Sequence, residues 1–109
     1  EDLDIPENTR FVEDYRREYG KPPAGYYEAL GYTIAQNIEA ALKATGGRSD
    51  PATLLAAMKA VDIRTPQGRL RFDPEKRYPY LDYYFVKVIA KGGKPAYQVL
   101  DVVRSVRPD

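Results

Sequence analysis

The sequence predicts an α/β chain: three helices, then short strands and a terminal β-hairpin. Three observations carry this. Over the first sixty residues, apolar side chains recur at three- and four-residue spacing. Proline and glycine clusters cut that pattern into three pieces. After Thr65 the period shortens to polar–apolar alternation between turn residues. A chain of 109 residues supports one small core, though not a generous one.

The first helix opens at Asn8, or at Pro6-Glu7, and runs to about Tyr19. Phe11, Val12, Tyr15 and Tyr19 make its apolar stripe. Gly20 is a natural stop, because a residue past a helix end often adopts a left-handed conformation. Lys21-Pro22-Pro23-Ala24 cannot continue the helix, since proline lacks the N–H and restricts its predecessor. The second helix spans about Gly25 to Thr45, with Tyr27, Leu30, Ile34, Ile38, Ala41 and Leu42 on one face. Ala29, Gly31, Ala35 and Ala40 are small and allow close approach. At 1.5 Å per residue the rod is about 30 Å long, more than a tiny domain covers comfortably. Gly46-Gly47 ends it. Ser49-Asp50-Pro51 then reads as a cap with proline in the first turn, opening a third helix to about Ala60. Leu54, Leu55, Met58 and Val61 are its inward set.

Thr65-Pro66-Gln67-Gly68 is a turn, Arg69 to Phe72 a strand, and Asp73-Pro74-Glu75-Lys76 another turn. Tyr83 to Ala90 and Ala96 to Val103 are strands joined by Lys91-Gly92-Gly93-Lys94 as a hairpin. A two-stranded hairpin alone is marginal in water, so these strands call for a sheet that the chain does not obviously contain.

Composition excludes much chemistry. With 43% hydrophobic and 30% charged residues the chain is neither disordered nor a membrane span. It opens on Glu1-Asp2-Leu3-Asp4, acidic where a signal peptide starts basic. There is no His and no Cys, so disulfides, thiolate metal sites and the commonest general base are absent. No metal or other cofactor is expected. No glycine-rich phosphate loop occurs: Gly46-Gly47 and Gly92-Gly93 lack its spacing. Ser49 and Ser105 lie in surface segments without a base beside them, and the chain is not expected to be an enzyme. Net charge is +1, with seven acids against three Arg in residues 1–19. Arg64, Arg69, Arg71, Lys76 and Arg77 beside Tyr78 and Tyr80 could suit single-stranded nucleic acid. The interspersed Asp62, Asp73 and Glu75 favour an ordinary wet strand face, so no nucleic-acid partner is expected.

Several segments together resemble one family, in order, across nearly the whole chain. The run from Phe11 to Tyr19 followed by Gly20-Lys21-Pro22-Pro23 is similar to the phrase before the late long helix of type I periplasmic solute-binding proteins, the branched-chain amino-acid class served by ABC importers. Tyr32-Thr33-Ile34-Ala35-Gln36 and Gly46-Gly47 resemble that helix and its end. Asp50-Pro51, Thr65-Pro66-Gln67-Gly68 and Arg71-Phe72-Asp73-Pro74 resemble the next signature, and Tyr84-Phe85-Val86-Lys87-Val88 with Gly92-Gly93 the closing strand pair.

The resemblance implies a two-lobed fold with solute held between the lobes, of which this chain corresponds to the carboxy-terminal part. Residues 1–79 would be the helical part of the first lobe. Residues 80–109 would hold the crossover, at Tyr80, Asp82 and Tyr83, and the terminal strands of the second lobe. By position, Tyr27 would be the family's cleft aromatic, with Tyr26 beside it. Its phase with Leu30 and Ile34 leaves core packing equally open. The implied role is solute binding for an ABC importer, the solute being an amino acid or an aromatic or carboxylic acid. The implied partners are that solute, the remainder of the binding protein and an ABC permease. The implied location is periplasmic or extracytoplasmic, including a cell-surface lipoprotein. The alternatives are a ligand-sensing domain of a receptor or regulator, or a domain that self-associates through exposed strand edges.

Overall fold

The punctuation of the sequence marks the helix ends closely. The computed structural model describes residues 2–107. Helix α1 spans Pro6–Tyr19, α2 Tyr26–Ala44 and α3 Pro51–Lys59. Pro6 occupies the first turn of α1 after an extended Ile5, so Asn8 lies inside the helix instead of opening it. The Asn8 amide donates to the Leu3 carbonyl at 2.9 Å. Gly20 ends the helix at φ 68° and donates its N–H to Arg16 O at 2.9 Å. At the start of α2, the Gly25 N–H donates to Glu28 Oε2 at 3.1 Å. At the start of α3, the Thr53 N–H donates to Asp50 Oδ2 at 3.1 Å.

The inward face of α2 differs from the expected one. Its buried residues are Ala29, Thr33, Asn37 and Ala41. The expected apolar row is largely in solvent: Tyr27 is 82% exposed, and Ile34 and Ile38 are exposed as well. The physical reason is packing distance. Residues four apart stack into one row, and a row of small and short polar side chains lets α2 lie close to α3 and to the first strand. On α3, Leu55 also faces out and no residue is fully buried. The apolar core lies between α1 and α2, where Phe11, Val12 and Ala29 are buried with Tyr15 and Tyr32 against them.

Four antiparallel strands follow, β1 Asp62–Thr65, β2 Gly68–Phe72, β3 Pro79–Lys91 and β4 Lys94–Val106, in spatial order β1-β2-β3-β4. The terminal hairpin therefore has the sheet it called for. Strand β1 was not expected. It exists because Pro66-Gln67 is a two-residue connection that brings Thr65 opposite Gly68. Thr65 Oγ1 donates to Gly68 O at 2.9 Å and fastens that turn. Strand β3 changes partner: Pro79 and Tyr80 pair with β2, whereas Leu81 onward pairs with β4. Each hairpin arm reaches 13 residues, longer at both ends than its apolar run suggested. Strand β4 carries two extra residues, one between Val103 and Val106 and one, Leu100, between Val99 and Asp101. Two long-range contacts tie the ends together. Tyr97 N donates to Asp2 Oδ2 at 3.0 Å, and Arg64 Nε to Glu7 Oε1 at 3.0 Å.

Asp73, buried just after β2, organises the second turn. Its Oδ1 accepts from the N–H groups of Lys76 at 2.9 Å and Glu75 at 3.0 Å, and its Oδ2 accepts from the Tyr80 hydroxyl at 3.1 Å. These donors, the Lys76 N–H foremost, hold the carboxyl below its ordinary range against the opposing pull of burial. A depressed folded value means the stabilisation is present above the unfolded carboxylate pKa of about 3.9 and is lost as pH falls through the folded one. Asp73→Asn is therefore expected to be less stable than the parent at neutral pH, with the gap closing in acid. Urea midpoints from pH 7 to 2 check this; a gap independent of pH contradicts it.

Candidate functional site

Helix α1 and the first turns of α2 enclose a groove of about 470 Å³. Its walls are aromatic: Phe11, Tyr15 and Tyr19 from α1, and Tyr27 and Tyr32 from α2. Four of the rings meet in a tilted, edge-packed chain. Phe11 and Tyr15 meet edge to face at 5.9 Å, Phe11 and Tyr32 at 5.1 Å, and Tyr15 and Tyr19 at 4.5 Å. Gly31, one turn beyond Tyr27, lines the same groove, and a Cβ there would touch nothing within 4 Å.

Tyr27 does not pack in the core of this chain. Its ring is 82% exposed, and its ring partner is Tyr26, edge to face at 5.7 Å. The Gly25–Glu28 bond fixes the helix start that carries both.

The rim of the groove is acidic. Asp14, Glu18 and Glu28 stand against one cation, Arg17, which is itself bonded to Asp14 at 2.6 Å. The groove therefore suits a flat apolar body and disfavours a carboxylate beside the rim.

Tyr80, Asp82 and Tyr83 lie apart from this groove, where β3 changes partner. The Arg71 guanidinium sits 3.9 Å from the Tyr80 ring centroid. Tyr83 pairs with Val103 and is exposed. The Asp82 carboxylate is 5% exposed, and its Oδ1 accepts from Ser105 N at 2.8 Å.

Three cations of the basic stretch are engaged within the chain. Arg69 grips Asp62 with two bonds, at 2.7 and 2.5 Å, Arg64 holds Glu7, and Arg71 covers Tyr80. Among the described residues, no group of three or more acidic, His or Cys side chains is placed to hold a metal. Among the described residues, no helix is long and apolar enough to cross a membrane. Sequence phase had assigned Phe11 and Tyr15 to packing alone; they pack and also floor the groove. The available signal was the four-residue spacing of Phe11, Tyr15 and Tyr19 opposite the early rings of α2.

Comparison with known proteins gives one consistent result. A family profile described as periplasmic binding protein matches residues 1–94. The Leu/Ile/Val-binding protein homolog 6 of Brucella abortus is 33% identical over 95 residues, covering 86% of this chain and 24% of that protein. An ABC transporter substrate-binding protein from Sphaerobacter thermophilus superposes with a TM-score of 0.88 at 30% identity, covering 94% of this chain and 28% of that one. A solute-binding protein of an ABC transporter from Rhodopseudomonas palustris, solved with 3,4-dihydroxybenzoic acid, gives 0.87 at 32% identity, covering 95% and 28%. A second from that organism, solved with benzoate, gives 0.77 at 31% identity, covering 99% and 29%. The chain thus spans about a quarter of the length of the relatives it matches.

Proposed function

Because the chain belongs to the periplasmic binding protein family, we propose that it is part of an extracytoplasmic solute receptor for an ABC importer, and that it supplies one aromatic wall of an interlobe site. The exposed ring of Tyr27 above the α1–α2 groove carries this reading. An aromatic floor with one largely exposed ring beside it takes a planar or branched apolar body, at about 25 cal/mol per Å² of apolar surface removed from water. The benzoic acids held by two of the solved relatives have such a body. The solute proposed here is an aromatic carboxylic acid or an amino acid. The acidic rim directs its carboxylate away from this wall, to donors outside these 109 residues. Function then consists of binding, lobe closure and presentation to a permease, with no catalysis.

Calorimetry tests this. The intact gene product is expected to bind at least one member of a panel of benzoic acids and apolar amino acids. The 109-residue chain by itself is expected to bind the same solute at least about a hundredfold more weakly, a difference of about 2.7 kcal/mol. Equal affinity of the two would overturn the idea that the site is shared with another part of the protein. No binding by the intact protein would overturn the solute class.

A further inference from the structure

The β2–β3 ladder ends at the Arg71–Tyr80 pair, and the hairpin formed by β3 and β4 continues well beyond it. Past that point, two side chains of β3 tie the hairpin back to the β1–β2 turn. The Tyr84 hydroxyl donates to Gln67 O at 2.9 Å. The Asp82 carboxylate lies over Gly68, so closely that a Cβ there would sit 2.5 Å from Oδ2.

Asp82 also reaches the other way. Between Val103 and Val106, strand β4 has one residue more than β3 opposite it. Ser105 stands in this step at φ 51°, a left-handed conformation uncommon for a residue with a side chain. The extra residue removes one N–H from the regular ladder. Asp82 Oδ1 accepts that N–H from Ser105 at 2.8 Å, while Oδ2 faces Arg104 Nη1 at 3.5 Å. One carboxylate, 5% exposed, thus touches β2 on one side and an irregular step of β4 on the other, where β3 passes between them.

We propose that Asp82 is a positioning residue, a pin across the changeover of β3 that sets the angle at which the hairpin leaves the helical part and so biases lobe closure. This rests on the reading above that the interlobe crossover lies at Tyr80–Tyr83. A carboxylate that accepts from β4 while packing against Gly68 of β2 resists rotation of β4 against β2, because rotation would leave a buried charge without its Ser105 and Arg104 partners. Without the pin, the bulge at Ser105 loses its acceptor and the hairpin swings more freely.

The test uses the intact gene product and its Asp82→Ala, Asp82→Asn and Tyr84→Phe variants. Small-angle scattering reads the shape with and without a saturating benzoic acid from the panel. Calorimetry reads affinity, and circular dichroism checks folding. Asp82→Ala is expected to broaden the distance distribution of the unliganded protein and to change affinity about fivefold or more, the usual scale of coupling between a conformational equilibrium and a site. Asp82→Asn is expected to restore most of both, because its amide oxygen still accepts from Ser105. If Asp82→Ala does not fold, Tyr84→Phe decides, with a smaller change in the same direction expected. A folded Asp82→Ala with parental shape and parental affinity overturns the pin, and so does parental behaviour of Tyr84→Phe when Asp82→Ala cannot be examined. A separate outcome, altered shape in Asp82→Ala with parental affinity in Tyr27→Ala, would sustain the pin and refute the proposed site.

Discussion

Gly68→Ala is expected to be the most damaging single methyl group in the chain, lowering stability by about 3–5 kcal/mol. Two costs add. Gly68 sits at φ 112°, a region that side-chain-bearing residues pay about 1–3 kcal/mol to occupy. The new Cβ would also stand 2.5 Å from Asp82 Oδ2 and 3.2 Å from the Tyr84 hydroxyl. Asp82 has a short side chain fixed at its far end by Ser105, so it can yield only by giving up that bond, worth about 1.5–3 kcal/mol for a charged acceptor. Urea denaturation of the variant measures the sum. The origin of the second part is separable by a double-mutant cycle. In an Asp82→Ala background that obstruction is gone, and Gly68→Ala should then cost only the conformational part and the milder crowding by the Tyr84 hydroxyl. Equal costs in both backgrounds would show that Asp82 is not the obstruction.

Tyr27→Ala should separate binding from stability. The ring is 82% exposed, so its removal is expected to change the unfolding midpoint of the chain by less than about 0.5 kcal/mol equivalent. If Tyr27 walls the solute site, the same change is expected to weaken binding to the intact protein by at least about 2 kcal/mol, roughly thirtyfold, as truncation of a central aromatic contact typically does. Tyr27→Phe then reports whether the hydroxyl matters. Near-parental affinity would indicate that the solute reads only the ring face. A parental affinity in Tyr27→Ala would remove the residue from the site, and a loss of stability would return it to the core.

The helices were legible because their ends are written in residues with unambiguous backbone demands: Pro6, Gly20, Pro22-Pro23, Gly46-Gly47 and Asp50-Pro51. The buried face of α2 was not. Periodicity identifies an apolar row and assumes that it faces inward, but Ile34 and Ile38 face outward here while Thr33 and Asn37 are buried. Which row is covered depends on what lies against it, and sequence phase contains no such information. Strand β1 escaped notice for a related reason. Asp62-Ile63-Arg64-Thr65 has a single large apolar residue, and its extended form comes from pairing with β2. The site was half legible. Tyr26 and Tyr27 were identified as candidate rings, whereas the floor beneath them depends on the crossing of α1 and α2. Asp82 was expected at the crossover, but its bond to the irregular step of β4 was not legible, because a bulge forms between two strands and belongs to neither sequence alone.

The bond between Asp2 and Tyr97 has a consequence in time. It joins residues 95 positions apart and ties the segment before α1 to the far hairpin. Helices and hairpins can begin forming as soon as their own residues emerge, since their contacts are local. Their contact can close only after the elements between them have formed, so it is expected to be among the last to form. Loop closure adds only about 0.6 kcal/mol for each doubling of length, so this late step costs little extra chain entropy.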